Sequence, residues 1–119
     1  LYAWLEAGGK YSHILAVDYG KRGCYECLFT DNEGQLVNNR ALLNTNDIQN
    51  NLIIRNGCGG TRAAYGTTVL LLTTAALLDT IHKVLDGSIT ENTLINITPN
   101  NIHVSSGLIP MERCSCCGN

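Results

Sequence analysis

The sequence lacks a basic excess. Its 119 residues hold eight Lys and Arg against ten Asp and Glu, a formal net charge of −2. With no surplus of cations to track a phosphate backbone, nucleic acid is not an expected partner. There is also no uninterrupted apolar run of the roughly 18 residues that a membrane span needs. The nearest candidate, Val69–Leu78, is broken by Thr73 and Thr74 and followed by Asp79, His82 and Lys83, so no membrane partner is expected. The opening LYAWLEAGGK has no basic n-region, no apolar core and no small-residue cleavage site, and does not read as a secretory signal. It has no initiator Met either, and the chain is expected to be a piece of something longer. Internal repeats and low-complexity tracts are absent. What remains is 45% hydrophobic and 15% charged, a globular composition with room for one small domain or half of a larger one.

Cysteine, by contrast, is abundant. Six cysteines stand at positions 24, 27, 58, 114, 116 and 117. They fall into a Cys24-x-x-Cys27 pair, a terminal Cys114-x-x-Cys117 pair and a lone Cys58. A disulfide framework in a secreted domain usually scatters its cysteines. Two CxxC pairs far apart read instead as a four-thiolate zinc site, because each short turn brings two sulfurs onto one metal. Such a site has no open position and would be structural. Disulfides or free buried thiols are the alternative, and Cys114/Cys116 is a second way to form the terminal pair. Gly23 before the first pair and Gly118 after the last permit tight backbone turns.

Hydrophobic patterning predicts strands at Tyr2–Ala7 and His13–Tyr19, separated by Gly8-Gly9. Thr30–Asn56, rich in Asn and Asp, reads as a long loop with a short helix near Asp47–Leu52. The strongest helical signal runs from about Tyr65 to Leu85, stopped by Gly87. Its first half is apolar nearly all round, which predicts burial on more than one side. Leu94–Ile97 and Ile102–Ser105 flank Pro99-Asn100-Asn101 and read as a hairpin leading to the last cysteines. Closing the chain between the two CxxC pairs would then tie the loop after the second strand to the end of that hairpin.

Cys58 sits in Gly57-Cys58-Gly59-Gly60, just ahead of the predicted helix. A helix N-terminus and the nearby Arg62 would both lower a thiol pKa and favour a nucleophile. The alternative is a buried structural Cys in a tight turn. His13 opens a strand and could line a site. His82 and His103 have no evident nucleophile partner, and Glu6 with Asp18 makes no convincing acid/base pair.

Taken in order, GCYECLF at 23–29, the lone Cys58, GTTVLLLTTAALLDTIHKVLDG at 66–87 and CSCCG at 114–118 resemble the C-terminal half of ThiF/MoeB-type adenylating enzymes. These activate ubiquitin-like and sulfur-carrier proteins. The segment YAWLEAGGKYSHIL at 2–15 is similar to the Trp-Leu-Glu…His segment of bacterial ubiquitin-activating-like domains. The resemblance spans essentially all 119 residues. It implies an α/β fold, the C-terminal part of a Rossmann-like domain, with a few strands, one long buried helix and a structural zinc clamp. It assigns zinc to Cys24, Cys27, Cys114 and Cys117, and a thioester-forming role to Cys58 with Arg62 in support. It also implies a cytoplasmic bacterial protein, a carrier-protein partner and a homodimer. The family's ATP and magnesium site lies upstream on a Gly-rich strand–turn–helix, and no GxGxxG occurs here. Residues 1–119 are therefore expected to be a single partial domain without its ATP-binding half, unable to adenylate alone. A non-catalytic zinc-stabilised dimerisation or docking module is the alternative function.

Overall fold

A computed structural model describes residues 1–6, 9–43, 53–55, 61–63, 67–98, 101–106 and 112–118. Strands β1 (Tyr2–Leu5) and β2 (Ser12–Ala16) are followed by a 3-10 turn at Tyr25–Phe29. A two-stranded ribbon, β3 (Ile53–Arg55) and β4 (Thr61–Ala63), precedes helix α1 (Thr67–Leu85). Strands β5 (Thr93–Thr98) and β6 (Asn101–Ser106) come last. The main sheet has the order β1-β2-β5-β6, and every neighbouring pair is antiparallel. The fold is thus a small α/β arrangement with a four-stranded antiparallel sheet, a two-stranded antiparallel ribbon and one α-helix among the described residues.

Strand β2 lies at the centre, and all five of its residues are buried. Alternation along it separates two cores. Ile14 faces α1 together with Ile95 and Ile97, packing with Ala76 of the helix. Leu15 faces the other way, into a core with Leu94, Cys24, Cys27, Leu28, Ala41 and Cys114. The sheet therefore carries a helix on one face and the cysteine-bearing turns on the other. The β5–β6 hairpin forms where the apolar alternation placed it, with Ile95 opposite Val104 and Ile97 opposite Ile102.

Helix α1 meets the sheet through an unexpected stripe. Its buried residues are Val69, Thr73, Ala76 and Thr80, spaced by four, three and four. The two buried threonines satisfy their own hydroxyls by donating to carbonyls one turn back, Thr73 to Val69 at 2.6 Å and Thr80 to Ala76 at 2.7 Å. Thr73 Oγ1 then accepts from Ser12 Oγ on β2 at 2.5 Å. Small, self-satisfied side chains allow helix and sheet to approach closely. Leu72 and Leu77 flank this stripe and pack partly against the same core, whereas other leucines point away: Leu71 is 64% exposed, Leu78 57% and Leu85 79%.

Two sequence expectations need correcting. Burial of α1 on more than one side does not occur, because among the described residues only the sheet covers it and it offers a single face. The expected loop from Thr30 to Asn56 contains β3, a strand too short at three residues to show a period. The short helix expected near Asp47–Leu52 lies outside the described residues.

The two faces of α1 should respond differently to truncation. Ile14→Ala, at a fully buried position against the helix, should cost about 3 kcal/mol in urea unfolding. Leu71→Ala should change stability by no more than about 0.5 kcal/mol. Comparable losses at both positions would mean that the leucine face is covered in the isolated chain.

Candidate metal centre

The first CxxC forms at the end of a glycine turn. Gly23 has φ of +91°, a left-handed conformation that a side chain resists, and it turns the chain into Cys24. The 3-10 turn that follows brings the amide of Cys27 to the carbonyl of Cys24 at 3.1 Å. Its aromatic residues hold it against β1: Tyr25 stacks on Tyr2 at 4.5 Å, meets Trp4 edge-on at 6.3 Å and packs on Phe29 at 5.3 Å. Arg40 Nη1 donates to the carbonyl of Cys27 at 3.0 Å from the returning chain.

The second CxxC closes on itself through Gly118, whose amide donates to the carbonyl of Cys114 at 2.8 Å. A Cβ at position 118 would stand 2.4 Å from the Glu112 carbonyl and 2.6 Å from that of Cys114, so only glycine fits. Ser115 Oγ donates to Glu26 Oε1, linking the two turns directly.

Together the turns place four sulfurs in one cluster. The Sγ atoms of Cys24, Cys27, Cys114 and Cys117 all lie within 4.8 Å of one another. Cys24 and Cys114 are 3.6 Å apart, Cys27 and Cys117 3.4 Å, each pair 90 positions apart in the chain. A tetrahedral ion with metal–sulfur bonds of about 2.3 Å sets sulfurs about 3.8 Å apart, so the set could hold a metal ion. No disulfide joins the five described cysteines. Cys116 is exposed and outside the cluster, which selects Cys114 and Cys117 as the terminal pair.

The electrostatics of the cluster are divided. Burial pushes the Cys24 thiol strongly upward, despite a lowering hydrogen bond from the Cys27 amide. Burial acts on Cys117 in the same direction. There it is outweighed by the amides of Gly23 and Cys24 and by the thiols of Cys27 and Cys24, which bring the value down to about 7. Donors turned onto one sulfur favour its thiolate, the form that binds metal.

One supporting residue had no sequence signal. Asn92, buried just before β5, accepts from the amide of Asp18 at 2.7 Å and donates to the carbonyl of Gly23 at 2.7 Å. Its amide also reaches the carbonyl of Arg22 at 3.2 Å. It thereby fixes the 18–23 turn that delivers Cys24. An isolated Asn between Glu91 and Thr93 looks like any loop residue until the fold brings residue 18 beside it.

Cys58 lies outside the described residues. Arg62 is in β4, opposite Ile54. This strand intervenes between position 58 and α1, so the expected short run from Cys58 into a helix N-terminus is replaced by a ribbon. Glu6 and His13, unpaired in the sequence reading, are hydrogen-bonded at 2.6 Å. No family model, curated protein or solved structure matches the chain.

Two measurements test this geometry. Asn92→Ala should cost about 2 kcal/mol, because it strands buried backbone groups of the first turn, and should weaken metal binding with it. In metal-free protein, alkylation of Cys117 should rise with a midpoint near pH 7. Its folded value lies below the ordinary thiol value of 9.0. Its contribution to metal-free stability is therefore complete above about pH 9 and lost as pH falls through about 7.

Proposed function

We propose that the four cysteines hold a structural zinc ion, and that the chain is the zinc-bearing C-terminal portion of a ThiF/MoeB-type adenylating enzyme. The observation that carries this reading is the convergence of Cys24, Cys27, Cys114 and Cys117 from two CxxC turns 90 positions apart. Soft thiolate donors with tetrahedral spacing suit zinc. Four protein ligands leave no place for water or substrate, so the ion crosslinks the fold and takes no part in a reaction. Its binding free energy becomes folding free energy, set against a closure entropy of about 4 kcal/mol for a loop of this length. Free thiols fit a reducing, cytoplasmic setting.

The order of parts further supports the family reading: a strand, a CxxC turn, a long helix, a hairpin and a closing CxxC. In the intact enzyme, ATP and magnesium would be held by an upstream Rossmann-like portion, and residues 1–119 alone would not adenylate. There the carrier protein's C-terminal carboxylate becomes an acyl-adenylate. The Cys58 thiolate, supported by Arg62, then attacks the carbonyl; a thioester bond forms and AMP leaves with the electron pair of the broken C–O bond.

Native mass spectrometry of the purified chain without reductant should show one zinc per chain and no mass loss from disulfides. Cys114→Ser should release the metal and lower stability by several kcal/mol. A metal-free chain with three disulfides would overturn both the zinc site and the family reading. In the full-length enzyme, Cys58→Ser should abolish the thiol-sensitive carrier adduct and preserve ATP–pyrophosphate exchange. An adduct that survives Cys58→Ser would remove Cys58 from the chemistry and leave the zinc site standing.

The outward face of α1 favours a second reading, a zinc-stabilised module that dimerises without catalysis. Leu71, Leu78 and Leu85 are exposed and seven residues apart, with Leu70 and Val84 exposed beside them. That is the period with which one helix packs along another, and a second copy supplies the matching face. Light scattering should then give a dimer that Leu78→Lys converts to a monomer. A wild-type monomer would exclude this reading, and vesicle binding by that monomer would assign the face to lipid.

A further inference from the structure

The four clustered sulfurs meet in pairs that run across the two turns. Cys24 faces Cys114 at 3.6 Å, and Cys27 faces Cys117 at 3.4 Å. A disulfide bond is about 2.05 Å long, so each pair would have to close by roughly 1.5 Å. The backbone around the sulfurs is held by contacts that need no metal. The Cys27 amide donates to the Cys24 carbonyl at 3.1 Å, and the Gly118 amide to the Cys114 carbonyl at 2.8 Å. Ser115 Oγ donates to Glu26 Oε1 across the gap between the turns. Gly34, at φ +82°, presses on the approach to the second turn: a Cβ there would stand 3.1 Å from the Arg113 carbonyl. Side-chain rotation at the sulfurs can therefore proceed on a backbone already in place.

Access to the cluster is uneven. Cys24, Cys27 and Cys114 are buried, and Cys117 is half-buried. A small polar oxidant thus reaches Cys117 first, with Cys27 waiting beside it. We infer that the centre is a peroxide-sensitive thiol–disulfide switch, joining Cys27 to Cys117 and then Cys24 to Cys114, so that oxidation replaces a metal clamp by a covalent one. Release of zinc in this step rests on the zinc reading above. The choice of partners rests on the sulfur geometry alone.

The chemistry balances with hydrogen peroxide as the oxidant. The Cys117 thiolate attacks one peroxide oxygen; an S–O bond forms, the O–O bond breaks, and hydroxide leaves with the electron pair. The sulfur is now a sulfenic acid, and the peroxide has been reduced. The Cys27 thiolate attacks that sulfur, an S–S bond forms, and a second hydroxide leaves. Two thiolates remain for the ion, too few for a closed site. A second peroxide repeats the sequence at Cys24 and Cys114. Each new bond joins positions 90 apart in the chain, so the two turns stay tied after the metal has gone. Pairing within each CxxC would do the opposite and leave the turns unconnected.

Peroxide titration of the zinc-loaded chain, purified under argon, tests this. Zinc set free is followed with a chromogenic chelator. After acid quenching and alkylation, disulfides are mapped by mass spectrometry, with cleavage after Glu26 separating Cys24 from Cys27. One zinc should appear per two peroxides consumed, and the Cys27–Cys117 bond should form before Cys24–Cys114. Dithiothreitol with added zinc should restore the starting mass and metal content. Cys116→Ser should behave as the wild type, because the exposed Cys116 takes no part in the exchange. Bonds within Cys24–Cys27 or Cys114–Cys117 would overturn the switch, and so would a bond to Cys116. Sulfinic acids in place of disulfides, or four thiols untouched by excess peroxide, would overturn it equally. A chain that carries no zinc before peroxide is added would defeat the zinc reading, and its disulfide map would still decide the pairing.

Discussion

The structure depends most on four sulfurs being brought within 4.8 Å. The sequence places them in two turns at nearly opposite ends of the chain. Everything between must fold so that these ends meet. The sheet does this by placing the strand before the first turn beside the hairpin before the second. Strand β2 pairs directly with β5, so the two cysteine turns leave the same side of one sheet. Asn92 strengthens the join, because the residue just before β5 also holds the turn entering Cys24. A metal at this point would stabilise the β2–β5 pairing as well as the knuckles.

The two faces of the sheet are built on different principles. The cysteine face is heterogeneous: stacked aromatics, a buried His–Glu pair and a sulfur cluster, each needing specific partners. The helix face is simpler, with Ile14, Ile95 and Ile97 meeting a stripe of Val, Thr and Ala. Small residues on α1 bury little area per contact, so the helix contributes less burial than its leucine content suggests. The heavier contribution comes from β2, which is covered on both sides. That is why Ile14 and Leu15, adjacent in sequence, belong to separate cores.

The sequence signalled local periods and spacings well. Alternation located β1, β2 and the β5–β6 hairpin, and helical spacing with Gly87 located α1 to within two residues at its start. The CxxC spacing brought forward the four cysteines that converge, and Gly118 was recognised as a turn residue before its contact with Glu112 was visible. What could not be read was orientation. A helix apolar nearly all round does not disclose which stripe meets the sheet, and here the threonines won because they satisfy their own hydroxyls. Partners fixed only by tertiary contact were equally hidden. The sequence offers Asp18 beside Glu6, whereas the turn after β1 brings the Glu6 side chain to His13. Asn92 had no local mark at all.

A closed four-sulfur centre and a leucine face pointing outward make complementary demands. The centre contributes rigidity at one side of the sheet and offers no position for substrate. The β2–β5 pair lies between these two surfaces and contacts both. Ile14 and Ile95 touch the helix, while Leu15 and Leu94 touch the cysteine core. Loss of metal would loosen Leu15 and Leu94 first and reach the helix only through the backbone of those two strands. Backbone pairing between central strands is the stiffest part of a sheet. The helix face can therefore keep its shape while the cysteine side relaxes.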